Sequence, residues 1–131
     1  MKTKSKTQEF INATTNDLEK REIMKRRFNA FIDFVKVCEM VVQSQSEYED
    51  YKATWSNLST QLIDEWILRE WKKANRHKER EQEVHETILM LAAFYDYLRR
   101  VYKPIENPAA QSLLHMENGI MKRRRYNKKA A

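Results

Sequence analysis

The stretch VHETILMLAAFYDYLRRVY, residues 84–102, decides the fold class. Its large apolar residues recur at spacings of 4, 3, 4, 3 and 4, which places them on one face of an α-helix. They are Val84, Ile88, Leu91, Tyr95, Leu98 and Tyr102. The same spacing relates Met24, Phe28, Phe31, Val35, Cys38 and Val42. Because the 131 residues include one Gly and two Pro, too few for the turns of most sheets, we predict an all-α protein. Its three to four helices should form a bundle with a basic N-terminal arm and a basic C-terminal tail.

Local signals predict where these helices begin and end. The first long helix should start at Asn16, whose side chain can cap it, and should end near residues 43–45. A second helix should start at Ser46, which forms a capping-box pattern with Glu49. Short polar residues at 54–59 compete for backbone hydrogen bonds, so we expect a kink or a break there.

The second half of the chain carries clearer boundaries. A third helix should begin within residues 74–78 and end before Pro104, because a residue that precedes proline avoids the helical conformation. The charged stretch at its start is compatible with one long rod or with a turn between antiparallel helices, and the apolar stripes favour the turn. Asn107 and Pro108 should cap and open a fourth helix that continues into the tail and is weakened by Gly119.

The positive charge of the chain is unevenly distributed. Residues 122–129 hold six cations, and the formal net charge of the whole chain is +6, so the remainder is balanced. We predict three regions: a flexible basic arm over residues 1–14, a helical domain over 15–121, and a basic tail over 122–131.

Two basic clusters are the candidate nucleic-acid-binding site, because clustered cations in a small chain suit a polyanion. The first comprises Lys20, Arg21, Lys25, Arg26 and Arg27, which should form a broad positive surface on the first long helix. The second comprises Lys122, Arg123, Arg124, Arg125, Tyr126, Lys128 and Lys129, where the tyrosine can stack on a base. The alternatives are a solvated helix face for the first cluster, and a solubility tail, a localisation signal or an anionic-membrane contact for the second. A third group, between Arg69 and Arg80, is diluted by glutamates and is interpreted as a solvated, ion-paired stretch.

Catalytic chemistry finds little support in the sequence. His77, His85 and His115 lack metal-ligand spacing and are interpreted as solvated or capping side chains. No glycine-rich phosphate loop is present, and the carboxylates lack the pattern of di-metal bundles. We therefore predict a protein that is not an enzyme and has no cofactor, metal or small-molecule substrate.

Composition also bears on location and packing. The longest apolar run, residues 88–95, is too short to cross a bilayer, no secretory signal is visible, and Cys38 has no partner for an internal disulfide. These features fit a protein inside a cell or a virion. The tryptophans are interpreted as core or interface residues, and the heptad seams suggest a homo- or hetero-oligomer.

The layout of the chain resembles the major coat proteins of filamentous archaeal viruses, of the lipothrixvirus kind. The resemblance rests on the lysines at positions 2, 4 and 6, the cationic face at 20–27 and the nearly glycine-free helical body. It implies helical subunits that dimerise and wrap double-stranded DNA, with the cations at 20–27 lining the DNA. Arg123, Arg124 and Arg125 would either line the DNA too or face the next subunit.

The sequence therefore predicts a structural protein that coats duplex DNA through sequence-independent phosphate contacts, as a capsid or nucleocapsid subunit does. The alternative is a small helical interaction module or a phage or plasmid regulator that binds a partner protein through its seams. A sequence-specific repressor is a third reading, although no recognition helix can be identified.

Overall fold

The computed structural model describes residues 6–37, 55, 58–102 and 104–119, and over these residues it contains helices and no strand. The helices are α1 (Lys6–Thr14), α2 (Leu18–Val37), α3 (Thr60–Ala74), α4 (Lys78–Val101) and α5 (Pro108–Glu117). The predicted all-α class is confirmed. The predicted count of three to four helices is too low, since five lie within the described residues alone.

The chain divides into two compact units where one helical domain was expected. The first consists of Met1–Leu58 with Tyr97–Ile105, and the second of Ser59–Asp96 with Glu106–Ala131. Helix α4 therefore contributes residues to both units.

Aromatic side chains form the core of the first unit. Phe28 contacts Phe10 of α1 edge to face at 6.1 Å between ring centroids, and contacts Trp55 at 6.3 Å. Phe31 stacks on Trp55 with an interplanar angle of 18°. The buried face of α2 is thus the predicted seam over Phe28, Phe31 and Val35, whereas Cys38 and Val42 lie outside the described residues.

Helix α1 replaces the predicted flexible arm over residues 6–14. Phe10 and Ile11 are 5% and 2% exposed, and burial of two large apolar side chains is what stabilises this nine-residue helix. The prediction of an arm was wrong here because two adjacent apolar residues show no period in the sequence. Residues 1–5 lie outside the described part.

Asp17, and not the predicted Asn16, caps α2. Its carboxylate accepts hydrogen bonds from the backbone N–H groups of Glu19 at 2.9 Å and Lys20 at 3.4 Å. Asn16 instead accepts a hydrogen bond from a side chain of α2, described below. Both residue types are good caps, so the sequence does not distinguish neighbouring positions.

In the second unit, contacts along α5 fix the directions of three helices. Ser112 donates a hydrogen bond to the carbonyl oxygen of Thr60 at 3.3 Å, and His115 lies 2.9 Å from Asp64, so α3 and α5 run in the same direction. On α4 the order is reversed, because Asn107 bonds to Ala92 and Glu117 lies beside His85. Helices α3 and α4 are therefore antiparallel, and the interpretation as one rod is excluded.

Two breaks separate the helices of this unit from what precedes and follows them. Ser59 caps α3 by accepting a hydrogen bond from the N–H of Leu62 at 3.1 Å, so a break is observed at residues 58 and 59, within the segment where a kink or a break was expected. Residues 54, 56 and 57 lie outside the described residues. At the other end α5 stops at Glu117, and Gly119 adopts a φ of +77°. This glycine terminates α5, which does not continue into the tail as predicted.

Candidate nucleic-acid interface

The five cations at 20–27 do not form one surface. Each residue of a helix is rotated by about 100° from the last. Relative to the buried face of α2, this puts Lys20 and Arg27 on one side, and Arg21 and Lys25 on the other. Arg26 points away from the core. Lys20, Lys25 and Arg26 are exposed, whereas Arg21 and Arg27 are half-buried.

Acidic residues share the outward side of α2 with Arg26. Glu19, Glu22 and Asp33 all fall within about 60° of Arg26 around the helix axis. The predicted broad positive surface is therefore divided into two flanking pairs and a mixed outer face. A straight duplex laid along α2 would meet one flank at a time.

Arg21 has a structural role that the sequence did not reveal. Its Nε donates a hydrogen bond to the carbonyl oxygen of Thr15 at 2.7 Å. Its Nη2 donates to the carbonyl oxygen of Asn12 at 3.4 Å and to Oδ1 of Asn16 at 3.3 Å. The guanidinium thus binds the end of α1 and the linker to α2, which occupies donors that a phosphate would need.

The second predicted cluster lies outside the described residues. This applies to Lys122, Arg123, Arg124, Arg125, Tyr126, Lys128 and Lys129. Their assignment to nucleic-acid binding stays a prediction.

The turn between α3 and α4 presents a group of exposed cations, within the stretch that was predicted to be solvated and ion-paired. Lys73 does pair with Glu70, at 3.1 Å. Lys72, Arg76, Lys78 and Arg80 are exposed, and none of these four forms an ion pair within the part of the chain that the structure describes. Asn75, which tolerates the left-handed conformation of a helix end, was the signal that could have located this turn.

Two of the three histidines take part in contacts between helices. His115 Nδ1 lies 2.9 Å from Oδ2 of Asp64, a carboxylate that is 2% exposed. His85 lies 3.7 Å from Glu117. The prediction of a solvated or capping His115 was wrong, because the side chain contacts Asp64 of another helix. Local sequence does not reveal this contact, since the two residues are 51 positions apart. No group of three metal-ligating side chains occurs among the described residues.

A hydrogen bond ties the end of α4 to α1. The hydroxyl of Tyr102 donates to a carboxylate oxygen of Glu9, and Lys6 Nζ lies 3.9 Å from the centre of the Tyr102 ring. Desolvation and the bond to Glu9 both raise the pKa of Tyr102, so its hydroxyl keeps its proton. This contact holds α1 in place and offers no reactive group.

Among the described residues, no helix is both long and apolar enough to cross a membrane. Comparisons of the chain with protein-family models, with curated proteins and with solved structures found no match.

Proposed function

We propose that this chain is a non-enzymatic, helical protein that coats duplex DNA through sequence-independent phosphate contacts. The observation that carries the proposal is the location of the net charge. Removal of the six cations of residues 122–129 leaves 19 cations against 19 anions in the rest of the chain. A charge excess confined to eight residues favours one polyanionic ligand over a diffuse role in solubility.

The physical basis of the contact is the release of counterions from the phosphate backbone. If the six cations of the segment each neutralise a phosphate, the logarithm of the binding constant should fall with a slope of about −5 against the logarithm of salt concentration. Tyr126 would add stacking or sugar contacts that depend little on sequence. The flanks of α2 contribute less, because only one side can face a duplex at a time and Arg21 is engaged with α1.

A salt series with three proteins tests this assignment. The intact chain should bind random duplex DNA with a salt dependence at least as steep as that given above. Deletion of residues 122–131 should remove most of that slope, whereas the triple variant K20Q/K25Q/R26Q should lower it by about one. Circular dichroism would check that each variant keeps its helix content.

Two outcomes would contradict the proposal. The intact chain would then fail to bind DNA in low salt, or would bind with an affinity that ignores salt. Either result would favour the alternative of a helical interaction module, whose partner is a protein. A strong preference for one sequence over random competitor DNA would instead favour a repressor.

The proposal extends to a coat protein of a virion, on the resemblance in layout described above. Two structural points support a subunit that acts through its binding surfaces and not through a catalytic site. The titratable residues of the described helices are mainly surface charges or bridges between helices. The tryptophans at 55, 66 and 71 are buried in the core.

A further inference from the structure

We infer that the turn between α3 and α4 is a second phosphate contact for the same duplex. The cations concerned are Lys72, Arg76, Lys78 and Arg80, here named the turn cluster. The inference rests on the proposed function and adds to it a binding surface outside both predicted clusters.

Charge is concentrated at this turn. Residues 72–80 read KKANRHKER, which contains five cations, one histidine and a single acid, Glu79. All of these residues except Ala74 are exposed. The negative end of α3 and the positive end of α4 meet here and offset one another, so the side chains set the local potential. With five cations and one acid, the formal charges of residues 72–80 sum to +4.

The backbone of the turn singles out Arg76. Asn75 and Arg76 adopt φ angles of +51° and +67° in succession. The Asn75 N–H bonds to the carbonyl oxygens of Trp71 at 3.1 Å and Lys72 at 3.3 Å, which is the usual reason for a left-handed residue at a helix end. Asparagine tolerates this conformation, but arginine is strained in it and glycine would not be.

Packing does not explain why an arginine occupies this position. The Arg76 side chain is exposed and makes no hydrogen bond or ion pair within the described residues. A strained residue whose side chain stabilises nothing in its own fold is a candidate for contact with a ligand. The charge of Arg76 and of its neighbours makes an anion the ligand that fits.

The composition of the turn favours a polymer of phosphates over a membrane or an apolar protein surface. Ala74 is the single apolar residue between 72 and 80, and it is buried. A segment that binds membranes usually adds large apolar or aromatic side chains to its cations. The turn cluster offers none, so its contact should be electrostatic alone.

The turn cluster and the last described residues, Asn118 and Gly119, lie toward the same end of the second unit. Because α5 runs parallel to α3, its last residues point toward the end of α3 and the beginning of α4. Glu117 is level with His85, and seven residues of α4 between His85 and Lys78 span about 10 Å. Three extended residues after Gly119 cover about the same distance. The covalent chain thus allows residues 122–129 and the turn cluster to reach one duplex.

A pair of charge-matched triple variants tests the inference. R76Q/K78Q/R80Q and K20Q/K25Q/R26Q each remove three positive charges from exposed helix or turn positions. If the turn cluster binds phosphates, the turn variant should lower the slope of the salt dependence by about two to three, against about one for the α2 variant. Equal losses, or a smaller loss for the turn variant, would overturn the inference.

A second pair separates binding from folding at adjacent left-handed positions. Both Arg76→Gly and Asn75→Gly relieve the backbone, so both should raise the melting temperature. Only Arg76→Gly removes a charge, and it should lower the salt slope by about one while Asn75→Gly binds like the intact chain. Unchanged binding by Arg76→Gly would contradict a role for this arginine.

The two hypotheses fail in different ways. If the intact chain does not bind DNA, the proposed function is wrong and the turn cluster loses its ligand. If the intact chain binds and the turn variants bind equally well, the proposed function survives and the inference is wrong. Vesicles that contain an anionic lipid serve as a further probe, and binding of the turn cluster to them but not to DNA would also overturn it.

Discussion

At the scale of single residues, Arg21 shows that a cation predicted to bind a ligand can instead stabilise the fold of its own chain. Its three hydrogen bonds join α2 to Asn12 near the end of α1 and to Thr15 and Asn16 of the linker. Two of the acceptors are backbone carbonyl oxygens near the end of α1, where a cation is favoured by the helix dipole. The side chain therefore stabilises the first unit whether or not a ligand is bound.

We expect Arg21→Gln to lower the free energy of unfolding by about 1 kcal/mol, because the hydrogen bonds are charge-assisted but partly exposed to solvent. The salt slope of DNA binding should stay unchanged. Urea denaturation followed by circular dichroism measures the first quantity. Lys25→Gln is the matched control, since Lys25 lies on the same flank of α2 and is exposed, and its stability should not change.

The opposite pattern would contradict this role for Arg21. A variant with intact stability and a slope lowered by about one would return Arg21 to the DNA-binding residues.

Residues whose role depends on their near neighbours were predicted well from the sequence, and those whose partners are remote were not. The cap at Asn107 and the following Pro108 were predicted and are observed. The cap of α2 was misplaced by one residue, from Asp17 to Asn16. The contact between Asp64 and His115 spans 51 residues, and no local pattern encodes such a pairing.

At the scale of the helix, Asn107 both caps α5 and links its first residues to α4. Oδ1 of Asn107 accepts a hydrogen bond from the Ala110 N–H at 2.9 Å, which caps the helix. Nδ2 of the same side chain donates to the Ala92 carbonyl oxygen at 3.0 Å and to Asp96 at 3.2 Å. One amide thus starts α5 and fixes its position on α4.

We expect Asn107→Ala to lower the free energy of unfolding by about 2 kcal/mol, because it removes both the cap and the links to α4. Asn107→Ser keeps a capping oxygen but is too short to reach α4, so about half of that loss should remain. Denaturant titration of both variants provides the measurement. Equal losses would show that the cap contributes nothing, and no loss for serine would show the same of the links.

Helix periodicity predicted the elements with a regular apolar stripe and failed for the irregular ones. In α4, the predicted residues Val84 to Leu98 of the stripe are all buried, and only Tyr102, beyond the end of the helix, is 37% exposed. Helix α1 was missed because it is short and buries two adjacent residues. The turn cluster was missed because a run of charges has the same composition in a rod and in a turn.

At the scale of the whole molecule, the protein combines an electrically balanced body with a local excess of positive charge. A coat protein has to bind its polymer and also contact its neighbours along it. Leu18 is 74% exposed and Val101 51%, and both belong to the first unit. Apolar side chains at such positions are available to a second subunit, although singly exposed residues are also common in monomers.

We expect the purified protein to form regular filaments with plasmid DNA and to remain dispersed without it. Without DNA the basic tails of neighbouring subunits repel one another, and the DNA phosphates would neutralise them. Negative-stain electron microscopy of the two samples makes the comparison. Deletion of residues 122–131 should abolish the filaments, and an equimolar neutral polymer should not induce them. DNA binding without regular assembly would exclude the coat protein and leave a DNA-binding protein of another kind.

The burial of Phe10 and Ile11 has a practical consequence for the design of shortened proteins. A truncation that removes the first fourteen residues would remove Phe10, which packs against Phe28 in the aromatic core of the first unit. The truncation would expose apolar surface, and the shortened protein would be prone to aggregation and proteolytic cleavage. Affinity tags and their cleavage sites are best placed ahead of Lys6, so that α1 is retained intact.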